Sequence, residues 1–153
     1  VSGTRRLFIG IGNPLRGDDA AGLLAARALR ERGAGGIEVR ELEGEPVDLI
    51  EAWKGAELVI VADAVASGGE AGEVRRIDAG AEPLPAALAG PSTHVLGLCD
   101  AIELGRALER LPDRLVIYGI EGARFEPGAE RSAAVLAAAD WVAEAALAEL
   151  RGA

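Results

Sequence analysis

The sequence predicts an α/β fold, a three-layer α/β/α sandwich around a mixed, mostly parallel five-stranded sheet. Three observations carry that prediction. Short runs of consecutive apolar residues, the pattern of strands covered on both faces, alternate with segments of helical periodicity. The link after the third strand, Ala64 to Ala71, is shorter than the dozen or so residues that a crossover helix needs, so the fourth strand must turn back. Half of the 153 residues are hydrophobic and only 3% aromatic, which suits one aliphatic core; residues 1–153 read as a single domain.

The elements follow in order. Leu7 to Ile11 is a buried strand, closed by the turn residues Gly12-Asn13-Pro14. Ala21, Leu24, Ala25, Ala28 and Leu29 recur at helical spacing, and Gly33 stops that helix. Ile37 to Leu42 reads as a second strand and Val47 to Trp53 as a short helix. Leu58 to Ala62 is the third strand, ending on Asp63. Gly72 to Ile77 carries Arg75 and Arg76, which suits an edge strand antiparallel to the third. A connection through Pro83, Pro85 and Pro91 leads to a helix from Ser92 or Thr93 to Leu108. Leu115 to Gly119 is the last strand. The closing helix, Ser132 to Leu150, places Leu136, Ala139, Ala143, Leu147 and Leu150 on one face.

Charge and composition exclude several classes. Sixteen basic residues against 25 acidic ones give a net charge of −9, which argues against binding nucleic acid or an anionic membrane surface. No apolar run approaches the roughly 18 residues of a membrane span. The single cysteine, Cys99, forms no internal disulfide, and the N-terminal residues run into a strand without a signal-peptide core. The expected location is the cytoplasm.

In open α/β sheets the ligand site lies beyond the carboxyl ends of the strands. Three groups fall there. Asp18 and Asp19 follow the first strand, Asp63 ends the third, and His94 opens the third long helix. Each has an ordinary structural role open to it: an aspartate as helix N-cap, Asp63 as a turn residue, His94 as an exposed first-turn residue. Together, two carboxylates and one imidazole make a credible divalent-metal set. A phosphate cradle is disfavoured. Gly10-Ile11-Gly12 starts like a dinucleotide fingerprint, but Leu15 stands where the third glycine belongs. The only lysine, Lys54, is far from the loop, and adjacent carboxylates would repel a phosphate. Cys99 reads as a small core residue, and Ser92 is badly spaced from His94 for a nucleophile–base pair.

Ile9-Gly10-Ile11-Gly12-Asn13-Pro14-Leu15-Arg16-Gly17-Asp18-Asp19-Ala20-Ala21-Gly22 resembles the N-terminal signature of the hydrogenase maturation endopeptidases. Val61-Ala62-Asp63-Ala64 resembles their second motif and Ser92-Thr93-His94-Val95-Leu96-Gly97-Leu98 their third. The resemblance implies removal of a C-terminal extension from the precursor of a nickel–iron hydrogenase large subunit. It also implies that Asp19, Asp63 and His94 contact nickel brought by the substrate rather than a permanently bound ion. The chain departs from the pattern at Ala20, where a glycine is usual, and at Glu43-Gly44-Glu45-Pro46, where a Gly-Gly-Thr segment that bears on substrate choice is common. Two other readings stand beside it: a hydrolase holding its own zinc, and a non-enzymatic metal- or nucleotide-binding module.

Overall fold

A computed structural model describes residues 5–80 and 93–152, with the backbone alone for 93–96. The strands are β1 (Arg6–Ile11), β2 (Glu38–Leu42), β3 (Leu58–Val65), β4 (Val74–Asp78) and β5 (Arg114–Glu121). The helices are α1 (Ala21–Glu31), α2 (Pro46–Trp53), α3 (Thr93–Ala107) and α4 (Ala133–Gly152), with a 3₁₀ turn at Gly17–Ala20 before α1. The strands form one sheet in the order β2-β1-β3-β5-β4. All neighbours are parallel except β4, which is antiparallel to β5.

The apolar runs are continuous because the sheet is covered twice. Leu7, Ile9 and Ile11 of β1, Val59 and Val61 of β3 and Ile117 of β5 pack under α2 and α3 with Trp53, Leu98 and Ile102. Phe8, Ile60, Ala62, Val116 and Tyr118 pack on the opposite face under α1 and α4 with Leu29, Val142 and Leu147. Alternate side chains of each strand thus feed alternate layers. The three-layer sandwich is the architecture expected from the sequence.

The termini follow local chemistry. Gly33 supplies the left-handed turn after α1, with φ +75° and its N–H donated to Arg30 O. Pro46 begins α2 one residue earlier than the apolar pattern suggests, because proline suits a first helical position whose N–H has no partner. Close approach explains another glycine. A Cβ on Gly22 would lie 2.2 Å from Ala62 O and 2.3 Å from Ile11 O, so α1 sits directly on β1 and β3.

Three expectations need correction. The third strand does not end on Asp63 but continues to Val65, with Asp63, Ala64 and Val65 paired to Gly119, Ile120 and Glu121. The last strand has more partners than its apolar run suggests and extends with it. Second, β4 runs opposite to β3, as the helix-free link 66–73 requires, yet it pairs with β5 and not with β3. Third, Leu136 is 47% exposed. The buried stripe of α4 runs through Val135, Ala138, Ala139, Val142, Ala143, Ala146, Leu147 and Leu150, which leaves Leu136 on the solvent side. The Pro83–Pro91 connection and Ser92 lie outside the described residues. Among the described residues no helix is long and apolar enough to cross a membrane.

Candidate active site at the carboxyl edge of the sheet

Four parallel strands end at one edge, and the acidic candidates collect there. Asp63 projects from β3 and is 1% exposed. Its neighbours Val61 and Val65 belong to the layer under α2 and α3, so alternation turns Asp63 to that side. Its Oδ1 accepts the N–H of Ala64 at 2.8 Å. Across the sheet it is in register with Gly119, which brings no side chain to the row.

Asp19 sits in the 3₁₀ turn, 4% exposed, and that turn packs against β3. The backbone holds it from both sides: Asn13 N–H donates to Asp19 O, and Asp19 N–H to Arg16 O. His94 lies in the first turn of α3. The start of α3 is pressed onto the β2–α2 connection, where a Cβ on Gly97 would lie 2.4 Å from Gly44 O. That contact puts the helix start at the same edge of the sheet. The His94 side chain lies outside the described residues. Among the described residues no group of three His, Cys, Asp or Glu side chains is arranged around a metal position.

Asp18 has a different task from its neighbour. It caps no helix: Ala20 occupies the α1 cap without any side-chain hydrogen bond. Its carboxylate points instead into the β5–α4 loop, which spans residues 122–132. Oδ2 accepts the N–H of Ala123 (2.8 Å) and of Arg124 (3.0 Å) and the hydroxyl of Ser132 (2.7 Å), while Oδ1 accepts the N–H of Ser132 at 2.7 Å. Burial alone would raise this carboxyl, but the donors from Ala123, Ser132 and Arg124 outweigh it and hold the pKa below the usual range. The adjacent aspartates thus divide into a structural clamp, Asp18, and a candidate ligand, Asp19.

The remaining expectations also find places. Cys99 is half-buried and packs against the core under α3. Burial pushes its thiol up, and the charges of Asp100, Glu103 and Asp63 add to the effect, so little nucleophilic thiolate forms at neutral pH. The glycines of the first loop serve packing. A Cβ on Gly10 would lie 2.2 Å from Gly22 O, and one on Gly12 would lie 2.3 Å from Asp19 O.

One feature was not foreseen. Glu121, 5% exposed at the end of β5, accepts the N–H and hydroxyl of Ser67. With Val65, Glu73, Arg75 and Gly119 it lines a groove of about 370 Å³ one strand from Asp63. The only sequence signal was a glutamate directly after a buried strand. Its partner Ser67, 54 residues earlier, carried none.

An α/β sandwich with buried carboxylates on a turn and on a central strand is of the class whose ligand site lies at the carboxyl edge of the sheet. The comparisons specify it. The family model described as hydrogenase maturation protease matches residues 33–149, so the chain belongs to that family. It is similar to the hydrogenase expression/formation protein HupD of Thiocapsa roseopersicina, with 27% identity over 117 residues and 75% of this chain. The chain spans about half of that relative, 53% of its length. Among solved structures it resembles the hydrogenase maturating endopeptidase HybD from E. coli, with 28% identity and a TM-score of 0.78 over 97% of this chain and 93% of that one. The [NiFe] hydrogenase maturation protease HybD from Thermococcus kodakarensis matches with 27% identity and a TM-score of 0.76, over 96% and 99% of the two chains.

Proposed function

We propose that this chain is a cytoplasmic endopeptidase that removes a C-terminal extension from the nickel-loaded precursor of a [NiFe] hydrogenase large subunit. The observation that carries the reading is the pair Asp19 and Asp63. Both residues are nearly buried at the edge where α3 begins, with His94 in its first turn, within the fold of a maturation-protease family.

In this reading Asp19, Asp63 and His94 complete the coordination shell of a nickel ion that arrives in the precursor. Two carboxylates and one imidazole suit Ni²⁺, which stands high in the affinity order for oxygen and nitrogen donors. Coordination docks the precursor with its scissile bond beside the carboxylates. Attack of water on the carbonyl carbon then breaks the C–N bond, and a proton passes to the leaving amine. Nickel is part of the substrate, and the unloaded precursor lacks the group that the site recognises.

The assay is the intact mass of the precursor before and after addition of the protein, with and without nickel. The expected result is shortening of the loaded precursor alone, and its loss in Asp63→Asn and His94→Ala variants that still fold. Equal cleavage of the nickel-free precursor would overturn the reading, as would full activity of His94→Ala. Stoichiometric zinc retained by the purified protein at neutral pH would instead favour a resident-metal hydrolase.

A further inference from the structure

The sheet continues past Asp63 on the side away from β1. Gly119 of β5 is in register with Asp63, and Arg75 of β4 is in register with Gly119. Two residues along each strand, Val61, Ile117 and Ile77 all enter the core under α2 and α3. Alternation therefore puts Asp63 and Arg75 on that same face, and Gly119 between them carries no side chain. In the next row Val65 is in register with Glu121, whose N–H donates to Glu73 O. With Ser67, these residues line the groove of about 370 Å³, a volume typical of ligand sites.

The groove keeps its charges apart. Glu121, held by the N–H and hydroxyl of Ser67, and Glu73 gather at one end. A Cβ on Gly69 would lie 3.2 Å from Glu121 Oε1 and 3.1 Å from Glu73 Oε2. Neither carboxylate forms an ion pair with Arg75, whose guanidinium makes no ion pair or hydrogen bond among the described residues. Its neighbour Arg76, on the opposite face, is tied to Glu149. Other arginines also lack an ion pair; Arg75 differs from them by lining the groove in the row of Asp63. A donor on one wall and acceptors at the far end suit a polypeptide main chain, which offers a C=O and an N–H at each residue.

We infer that this groove is the subsite for the extension that the reaction releases, with Arg75 as its binding residue. The inference rests on the protease function proposed above. The direction follows from the strand order. Asp19 follows β1, and the start of α3 leans on the β2–α2 connection, whereas the groove lies over β5 and β4. A precursor body that brings metal to Asp19, Asp63 and His94 therefore stands on the β1 side of Asp63, and the chain beyond the scissile bond leaves towards β4. Arg75 is two strand spacings, about 10 Å, from Asp63, which an extended chain covers in about three residues. There the guanidinium donates to a main-chain carbonyl, and Glu73 accepts a main-chain N–H.

The test crosses two proteins with two substrates. Steady-state cleavage by wild type and Arg75→Ala is measured on nickel-loaded precursor that carries either its whole extension or a single residue after the scissile bond, too short to reach Arg75. Arg106→Ala, at another exposed arginine without an ion pair in the last turn of α3, is the control. Arg75→Ala should raise KM about tenfold on the whole extension, the loss of one charged hydrogen bond. On the shortened substrate Arg75→Ala should match wild type, which itself should show the same raised KM or no cleavage. The control should match wild type on both. An equal loss on both substrates, or none on the whole extension, from an Arg75→Ala protein that folds by thermal melting would overturn the subsite while the protease reading stands. If wild type leaves both substrates intact, the protease reading falls and a synthetic peptide of the extension sequence judges the groove alone. Binding about tenfold weaker to Arg75→Ala than to wild type would support the groove, and equal binding or none would overturn it.

Discussion

Asp18 and Asp19 are neighbours whose carboxylates face different demands. An ionised carboxylate offers about four acceptor positions, and Asp18 meets four donors, three of them backbone N–H groups. Asp18→Ala strands those donors in a buried place, so it should cost about 3 kcal/mol or more, read from urea denaturation at pH 7. The pH dependence has a definite sign. A carboxyl with a depressed folded pKa stabilises above its unfolded value, here 3.8, and loses that contribution as pH falls through the folded one. The stability gap between wild type and Asp18→Asn should therefore be widest at neutral pH and shrink below about pH 4. The adjacent acids and their place before a helix were legible in the sequence. That Asp18 clamps a loop more than 100 residues away was not, because nothing local to residues 12–20 signals Ser132 as a partner.

At the scale of elements, α1 depends on its contact with the sheet through Gly22. Gly22→Ala forces a methyl group against two backbone carbonyls that have no room to yield. The expected cost is about 3 kcal/mol, or roughly 6–12 °C in melting temperature for a chain of this size, measured by calorimetry. A second junction ties α4 to the antiparallel edge. Arg76 of β4 pairs with Glu149 at 2.5 Å, and the Tyr118 hydroxyl of β5 donates to the same carboxylate. Burial, then the bond to Glu149 and its charge, push the Tyr118 phenol up to about 12 from 10.0. The phenolate is disfavoured in the folded state, so this contribution is complete below about pH 10 and is lost as pH rises towards 12. Thermal melts at pH 9 and 11.5 should show a steeper alkaline loss for wild type than for Tyr118→Phe. The existence and type of these elements were readable because each strand is a compact apolar run. The extension of β3 past Asp63 was hidden, since an aspartate inside a strand looks like its end until Gly119 is seen beside it.

The whole molecule carries a net charge of −9, and its acidic excess is neutralised near pH 4.7. Loss of mutual repulsion there predicts a solubility minimum close to that pH, measured by turbidity, with clear solutions above pH 6. The layered architecture could be inferred from the alternation of runs and periodicities, and the direction of β4 from the brevity of the link 66–73. Strand order was out of reach, because the link shows that the chain turns back but not that a later strand lies between β3 and β4. That interposed strand dictates an order of assembly. When β4 emerges from the ribosome, its partner among the described residues, 114–121, has not yet emerged. Until then β3 and β4 both present bare backbone edges, the template on which chains join one another. Arrival of β5 closes the edge of β3 and one edge of β4 in a single step. Chains that end before residue 114 should aggregate more readily than those that end after residue 121, measured by light scattering of the released products.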